Sequence, residues 1–268
     1  MHKVSLLVLL FSLAFFSGCS VNPITGKKQL MLVPSSQEIN IGKQYAPVIE
    51  KDMGGRILDH QIQNYVSSVG AKIAAVSHMP GREFSFIALN DKSVNAMALP
   101  DGTIFITRGM LEKMSTEAQL ASVLGHEVAH VTCRHVSNAM SKQIGTNVLL
   151  SIISSKTEMT QTTQTLINYS RQIINLRFSR DDEHEADAGG LNYTLKAGYN
   201  PYGMVEVMEI LDRQNKTKQI EFLSSHPLPA RRKQELRMRV QNKRLSPGLI
   251  VGKEQFKANI TDKLKNIQ

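Results

Sequence analysis

Residues 124–135 read LGHEVAHVTCRH. His126 and His130 stand four positions apart, so a helix through this stretch carries both imidazoles on one face, one turn apart, with Glu127 beside them. In a chain with 8 histidines among 268 residues, composition alone produces such an HExxH segment in only about one chain in a hundred. Two imidazoles do not complete a catalytic zinc site, which takes three protein ligands and keeps one position open. The segment therefore demands a third donor from elsewhere.

The nearest concentration of donors is RDDEHEADAGG, residues 180–190, which sets Asp181, Asp182, Glu183, Glu185 and Asp187 within seven positions of a basic chain. Acids in a first helical turn favour the macrodipole and cap open amides, and Asp181, Asp182 and Glu185 are assigned to that role. Glu183 and Asp187 form an ExxxD pair, one turn apart on one face. One acid can bind the metal while the other holds a ligand imidazole by its second nitrogen.

With 41% hydrophobic and 21% charged residues, the chain can bury a sizeable core. Its start, MHKVSLLVLLFSLAFFSGCS, has a basic end at Lys3, an apolar run from Val4 to Phe16, and Ser17 and Gly18 before Cys19. That is the layout of a secretory signal, shorter than a comfortable membrane span. The Cys after Ser-Gly resembles the lipobox of bacterial lipoproteins, which implies loss of residues 1–18, acylation of Cys19 and a bilayer tether. Ser20, in place of the Asp that retains lipoproteins at the inner membrane, implies the periplasmic face of the outer membrane; a soluble periplasmic protein is the alternative. Loss of Lys3 lowers the net charge of +9 by one, leaving a protein attracted to anionic lipid. Of the two cysteines only Cys133 then remains, so no internal disulfide can form.

The expected organisation is a signal peptide at 1–18, a lipidated N-terminus and tether at 19–36, a peptidase domain at 37–243 and a basic tail at 244–268. Apolar spacing predicts helices over 37–51, 59–76, 116–140, 182–197, 201–214 and 230–242, and two more within 141–178 joined by SKTEMTQTTQT. Strand-like runs at 84–89, 93–99 and 103–107, separated by NDK and PDG, predict a small antiparallel sheet. The fold class is α+β, mostly helical. Strand 103–107 is the expected edge for an extended peptide, with Asn95, Ala96 and Met97 offering similar contacts.

LGHEVAHVTCRH with the downstream SRDDEHEADAGG resembles the zinc metallopeptidase family of the CAAX prenyl protease and HtpX, and is closest to its periplasmic BepA- and LoiP-like members. VNAMALPDGTIFITRGML resembles the family's edge strand and turn, and SSHPLPARR its HPxPxxR segment; the resemblance covers roughly residues 20–243. It implies a zincin-like domain in which His126, His130 and Glu183 hold one zinc ion per chain, Glu127 is catalytic and Asp187 supports a ligand. It further implies that His226 closes the fourth zinc position as a latch or acts as a proton donor, and that Arg232 anchors that loop or stabilises an oxyanion. The implied activity is endoproteolysis of misfolded or unassembled envelope proteins, outer-membrane proteins above all. The competing reading is a chaperone-like envelope lipoprotein with a silent or structural zinc site.

Other residues carry blander assignments. Cys133 reads as a small buried residue, and His135 as a site support or a structural hydrogen bond. Met110, Met114, Met204 and Met208 read as core filling, while His2, His60 and His78 carry no function. Basic runs at 27–28 and 231–233 lack interleaved aromatics, so nucleic-acid binding is not supported.

Overall fold

The computed structural model describes residues 19–30, 35–143, 170–215, 220–227 and 230–267. The expected signal peptide and the join between the two helices expected within 141–178 lie outside these residues. The α+β class, mostly helical, holds. A hairpin of β1 (Cys19–Val21) and β2 (Lys28–Leu30) precedes helices α1 (Ser35–Asp52) and α2 (His60–Ala75). Three strands follow: β3 (Ser85–Leu89), β4 (Ala96–Ala98) and β5 (Thr103–Thr107). The remaining long helices are α3 (Glu117–Thr132), α4 (His135–Gln143), α5 (Arg180–Lys196), α6 (Tyr202–Asn215) and α8 (Ala230–Gln241), with the short α7 (Glu221–Ser225) between the last two. Among the described residues no helix is long and apolar enough to cross a membrane.

The sheet differs from the antiparallel one expected. Its order is β3-β5-β4, with β5 parallel to β3 and antiparallel to β4. Strand 103–107 is therefore central, its backbone groups used on both sides, and cannot be the edge that receives a peptide. The edge beside α3 is β4, which contains the expected Ala96 and Met97, with Asn95 just before it. Both Ala96 and Met97 are buried.

Helix α3 is apolar or small nearly all round, and all its residues are buried between α2, α5, α6 and β4. Thr116 caps it, accepting from the Gln119 N–H at 3.2 Å. Two further N-terminal amides are satisfied from far along the chain: Glu117 N–H donates to the Gly252 carbonyl at 3.2 Å and Ala118 N–H to the Val251 carbonyl at 3.1 Å. Residues 244–268, expected as a basic tail, thus complete the helix, and they send Phe256, Ile260 and Leu264 into the main core. The expected tether is also partly docked. Its hairpin places Ile24 against the core beside Gly189.

Helix α5 starts two residues before the expected Asp182, because Ser179 and Asp182 form a reciprocal capping box. It crosses α3 at glycine-to-glycine distance. A Cβ on Gly190 would sit 2.9 Å from His126 N, and one on Gly125 would sit 3.1 Å from the Gly190 carbonyl oxygen. The neighbours are backbone and cannot yield, so the DAGG of the acidic stretch allows α5 to lie close enough for its acids to meet the α3 histidines. Gly190→Ala should therefore destabilise the fold by about 1–3 kcal/mol, read as a lower thermal midpoint. Gly81→Ala, with nothing within 4 Å of an added Cβ, serves as the control and should lie within roughly 0.5 kcal/mol of wild type.

Candidate metal centre

The α-helical period places His126 and His130 on adjacent turns of α3, with Nε2 atoms 3.0 Å apart. The crossing of α5 brings Glu183 to the same point: its Oε1 lies 3.4 Å from His130 Nε2 and its Oε2 lies 3.6 Å from His126 Nε2. His226, at the end of α7, adds Nδ1 at 2.8 Å from Glu183 Oε1 and 3.3 Å from His126 Nε2. All four residues are buried, and their donor atoms lie within 4.8 Å of one another. Donors about 2.0–2.1 Å from a tetrahedral zinc ion sit about 3.3 Å apart, so this set has the spacing and chemistry of a metal shell. Glu127 sharpens the fit. Both of its carboxylate oxygens are buried with no hydrogen-bond partner, an arrangement that is costly unless a ligand or water meets them.

Asp187 and Arg232 stand behind this shell. Asp187 Oδ1 lies 3.1 Å from His126 Nδ1, while the Arg232 guanidinium donates to both Asp187 oxygens at 2.7 and 2.8 Å, to the Pro227 carbonyl at 3.0 Å, and pairs with Glu183. With its donors committed to acids and to the loop, Arg232 has the geometry of an anchor for residues 226–227 rather than of an oxyanion donor. Burial alone would raise the Glu183 carboxyl, but His226, His130 and Arg232 hold it well below the usual range. Asp187 is likewise kept low, Arg232 and His126 outweighing burial. Burial pushes the Glu127 carboxyl up despite the histidines nearby and pushes His130 far down, which favours the neutral imidazole that a metal requires.

His226 is held in place by its own segment. Its ring stacks on Phe222 at 4.4 Å and 19°, and its N–H donates to the Phe222 carbonyl at 2.8 Å. Phe222 N–H in turn donates to the Val94 carbonyl at 3.1 Å, so the segment sits at the approach to the β4 edge. The space left beside Glu183, bounded by Phe178, Pro227 and Arg232, is about 20 Å³. That cavity has room for a single water.

The sequence-predicted residues His126, Glu127, His130, Glu183, Asp187, His226 and Arg232 are brought together in one buried cluster. The backbone of Cys19 begins β1. Cys133 is buried, its thiol pushed up to about 12 chiefly by burial, and the four methionines read as filling are all buried. His78 bonds the Tyr193 hydroxyl at 2.7 Å. Two participants were missed. Glu185, assigned to the helix start, accepts from His135 at 3.0 Å, and Asn22, read as tether, donates to Glu185 at 2.5 Å. The NPITG turn signature was visible, but its partner lies more than 160 positions away.

A paired-histidine helix, a carboxylate from a crossing helix and between them a buried glutamate without a hydrogen bond, its Oε1 3.7 Å from His226 Nε2, have the make-up of a metallopeptidase-type centre. Residues 60–240 match peptidase family M48, and the chain belongs to that family. It is similar to the β-barrel assembly-enhancing protease of Escherichia coli K12, 28% identical over 255 residues, spanning 91% of this chain and 51% of that protein. It is 33% identical over 173 residues to the mitochondrial metalloendopeptidase OMA1 of Arabidopsis thaliana, spanning 64% and 35%. The metalloprotease LoiP of E. coli K12 is 28% identical over 166 residues, spanning 61% and 66%. The chain spans about half the length of the first of these relatives.

Proposed function

We propose that this chain is a zinc-dependent endopeptidase of the bacterial cell envelope that hydrolyses misfolded or unassembled envelope proteins and is held inactive by the His226 segment. The observation that carries this reading is the convergence of four buried donors beside a Glu127 carboxylate that makes no hydrogen bond. His126, His130 and Glu183 would hold the metal, and Asp187, close to His126 Nδ1, would fix that ring. When bound, the zinc ion supplies a Lewis acid that acidifies water and polarises the scissile carbonyl. Glu127, on the turn between the two histidines, takes the proton of the attacking water and returns it to the leaving amine. Burial raises its pKa, the direction that helps a carboxylate accept a proton before passing it on.

A substrate strand would add to the free side of β4, giving backbone-directed and weakly sequence-selective binding. Phe222 and His226 stand in its way. His226 supplies a fourth donor, and a closed shell leaves no position for the water that Glu127 must activate. Arg232 fastens the closed loop to Asp187 and Glu183. The same fourth donor also favours the alternative of a chaperone-like protein with a structural zinc site, so the two readings part on what happens when His226 is removed. Substrates among unassembled outer-membrane proteins are supported by the similarity to a protease named for enhancing β-barrel assembly. Placement in the outer membrane, facing the periplasm, rests on the signal-like residues 1–18 and on acylation of Cys19.

Three outcomes test this. Metal analysis by mass spectrometry beside a casein digestion assay should show that Glu127→Gln keeps zinc and loses about 10²–10⁴-fold in turnover, whereas Glu183→Ala loses both; full zinc and activity in Glu183→Ala would assign the third ligand elsewhere. His226→Ala should raise basal proteolysis and self-cleavage with zinc near wild type. Lost turnover at constant zinc would make His226 a proton donor, and no gain in any proteolysis, with zinc lost, would favour the structural site. In cells fed a palmitate analogue the wild-type chain should be labelled and Cys19→Ser should not, and an unlabelled wild type would remove the lipid anchor.

A further inference from the structure

Behind His130 runs a hydrogen-bond chain, buried at its histidines and at Asn22 and half-buried at Glu185, that the reaction above does not use. His130 Nδ1 lies 3.1 Å from His135 Nδ1, His135 Nε2 lies 3.0 Å from Glu185 Oε2, and Asn22 Nδ2 donates to that same oxygen. Both histidines are fully buried, and Asn22 is 1% exposed. Every proton in the chain has a forced position. Asn22 Oδ1 accepts from the Ile24 and Thr25 amides at 2.9 and 3.1 Å, so its NH₂ must be the group facing Glu185. Glu185 Oε2 faces both the Asn22 NH₂ and His135 Nε2, and as a carboxylate it only accepts. His135 Nε2 must then carry a proton, which leaves Nδ1 as an acceptor in the neutral ring, and His130 Nδ1 must donate to it. That is the tautomer that frees His130 Nε2 for a metal.

The local backbone is shaped for this contact. Arg134, between α3 and α4, adopts a left-handed conformation at φ 59°, unfavourable for a residue with a Cβ, and its guanidinium is clasped by Glu38 of α1 at 2.7 and 2.8 Å. This turn starts a new helix at His135 instead of continuing α3, and His135 faces His130. On the other side, the Asn22 turn closes the β1–β2 hairpin, whose Ile24 packs beside Gly189 where α5 passes Ala129.

We propose that the N-terminal hairpin is an integral part of the metal centre, with Asn22, Glu185 and His135 acting as positioning residues that fix the tautomer and direction of the His130 ring. The proposal rests on the reading of His130 as a metal ligand. It makes the segment that follows Cys19 a determinant of metal retention, so displacing the hairpin loosens the ion without touching a ligand.

The test is the rate of zinc transfer from the full-length chain to an excess of chelator, with the melting temperature of the zinc-free chain measured in parallel. Asn22→Ala and His135→Ala should each release zinc about 10–100-fold faster than wild type. The double variant should release it no faster than His135→Ala alone, since one chain is broken only once. His135→Gln, which can accept from His130 through its oxygen and donate to Glu185 through its amide, should restore slow release. Wild-type release rates in Asn22→Ala and His135→Ala would overturn the proposal, as would additive effects, or lower zinc-free melting temperatures with release unchanged. Two ions per wild-type chain, one of them lost in Cys133→Ala, would also overturn it, because His135 Nε2 would then be a ligand and not a donor. A wild type that holds no zinc would remove the metal reading itself and this proposal with it.

Discussion

The closeness of two helices sets everything else in this molecule. Helix α3 carries two histidines and α5 carries the acids, and how these side chains converge depends on how closely the two backbones approach. Gly125 and Gly190 permit that approach. Once the helices touch, the converging groups are removed from water, and each charge has to be answered by a neighbour. Glu183 by the histidines and Arg232, and Asp187 by Arg232 and His126, are those answers.

The acidic stretch 181–187 shows how one local composition divides by helical phase. Asp181 faces solvent, Asp182 closes the capping box, Glu183 and Asp187 turn inward to the histidines, and Glu185 points toward the hairpin. The inward pair was legible in the sequence because the i, i+4 spacing of an ExxxD pair has meaning by itself, and Asp181 and Asp182 hold the helix-start place expected of them. Glu185 looked like its neighbours, since what separates it from them is a partner fixed by the tertiary fold.

The same boundary between local and long-range information runs through the fold. Periodicity located both ends of α2 and the start of α3 within a residue, but the single helix expected over 116–140 is broken at Cys133–Arg134, where Arg134 turns left-handed and α4 begins at His135. The sheet order was not legible: PDG reads as a hairpin turn between β4 and β5, and that pairing forms, but nothing local shows that β3 joins the far side of β5 in parallel. The C-terminal segment was misread on charge. Phe256, Ile260 and Leu264 recur every four residues, a helical apolar stripe that the surrounding lysines concealed.

The carbonyls of Val251 and Gly252 that close the start of α3 also impose an order in time. A chain made from its N-terminus presents the two histidines long before it presents the groups that complete their helix. While it is being synthesised the segment that carries HEVAH lacks those two partners and the apolar cover of Phe256 and Ile260. The helix that carries HEVAH is therefore capped and covered only once the chain has emerged through residue 264.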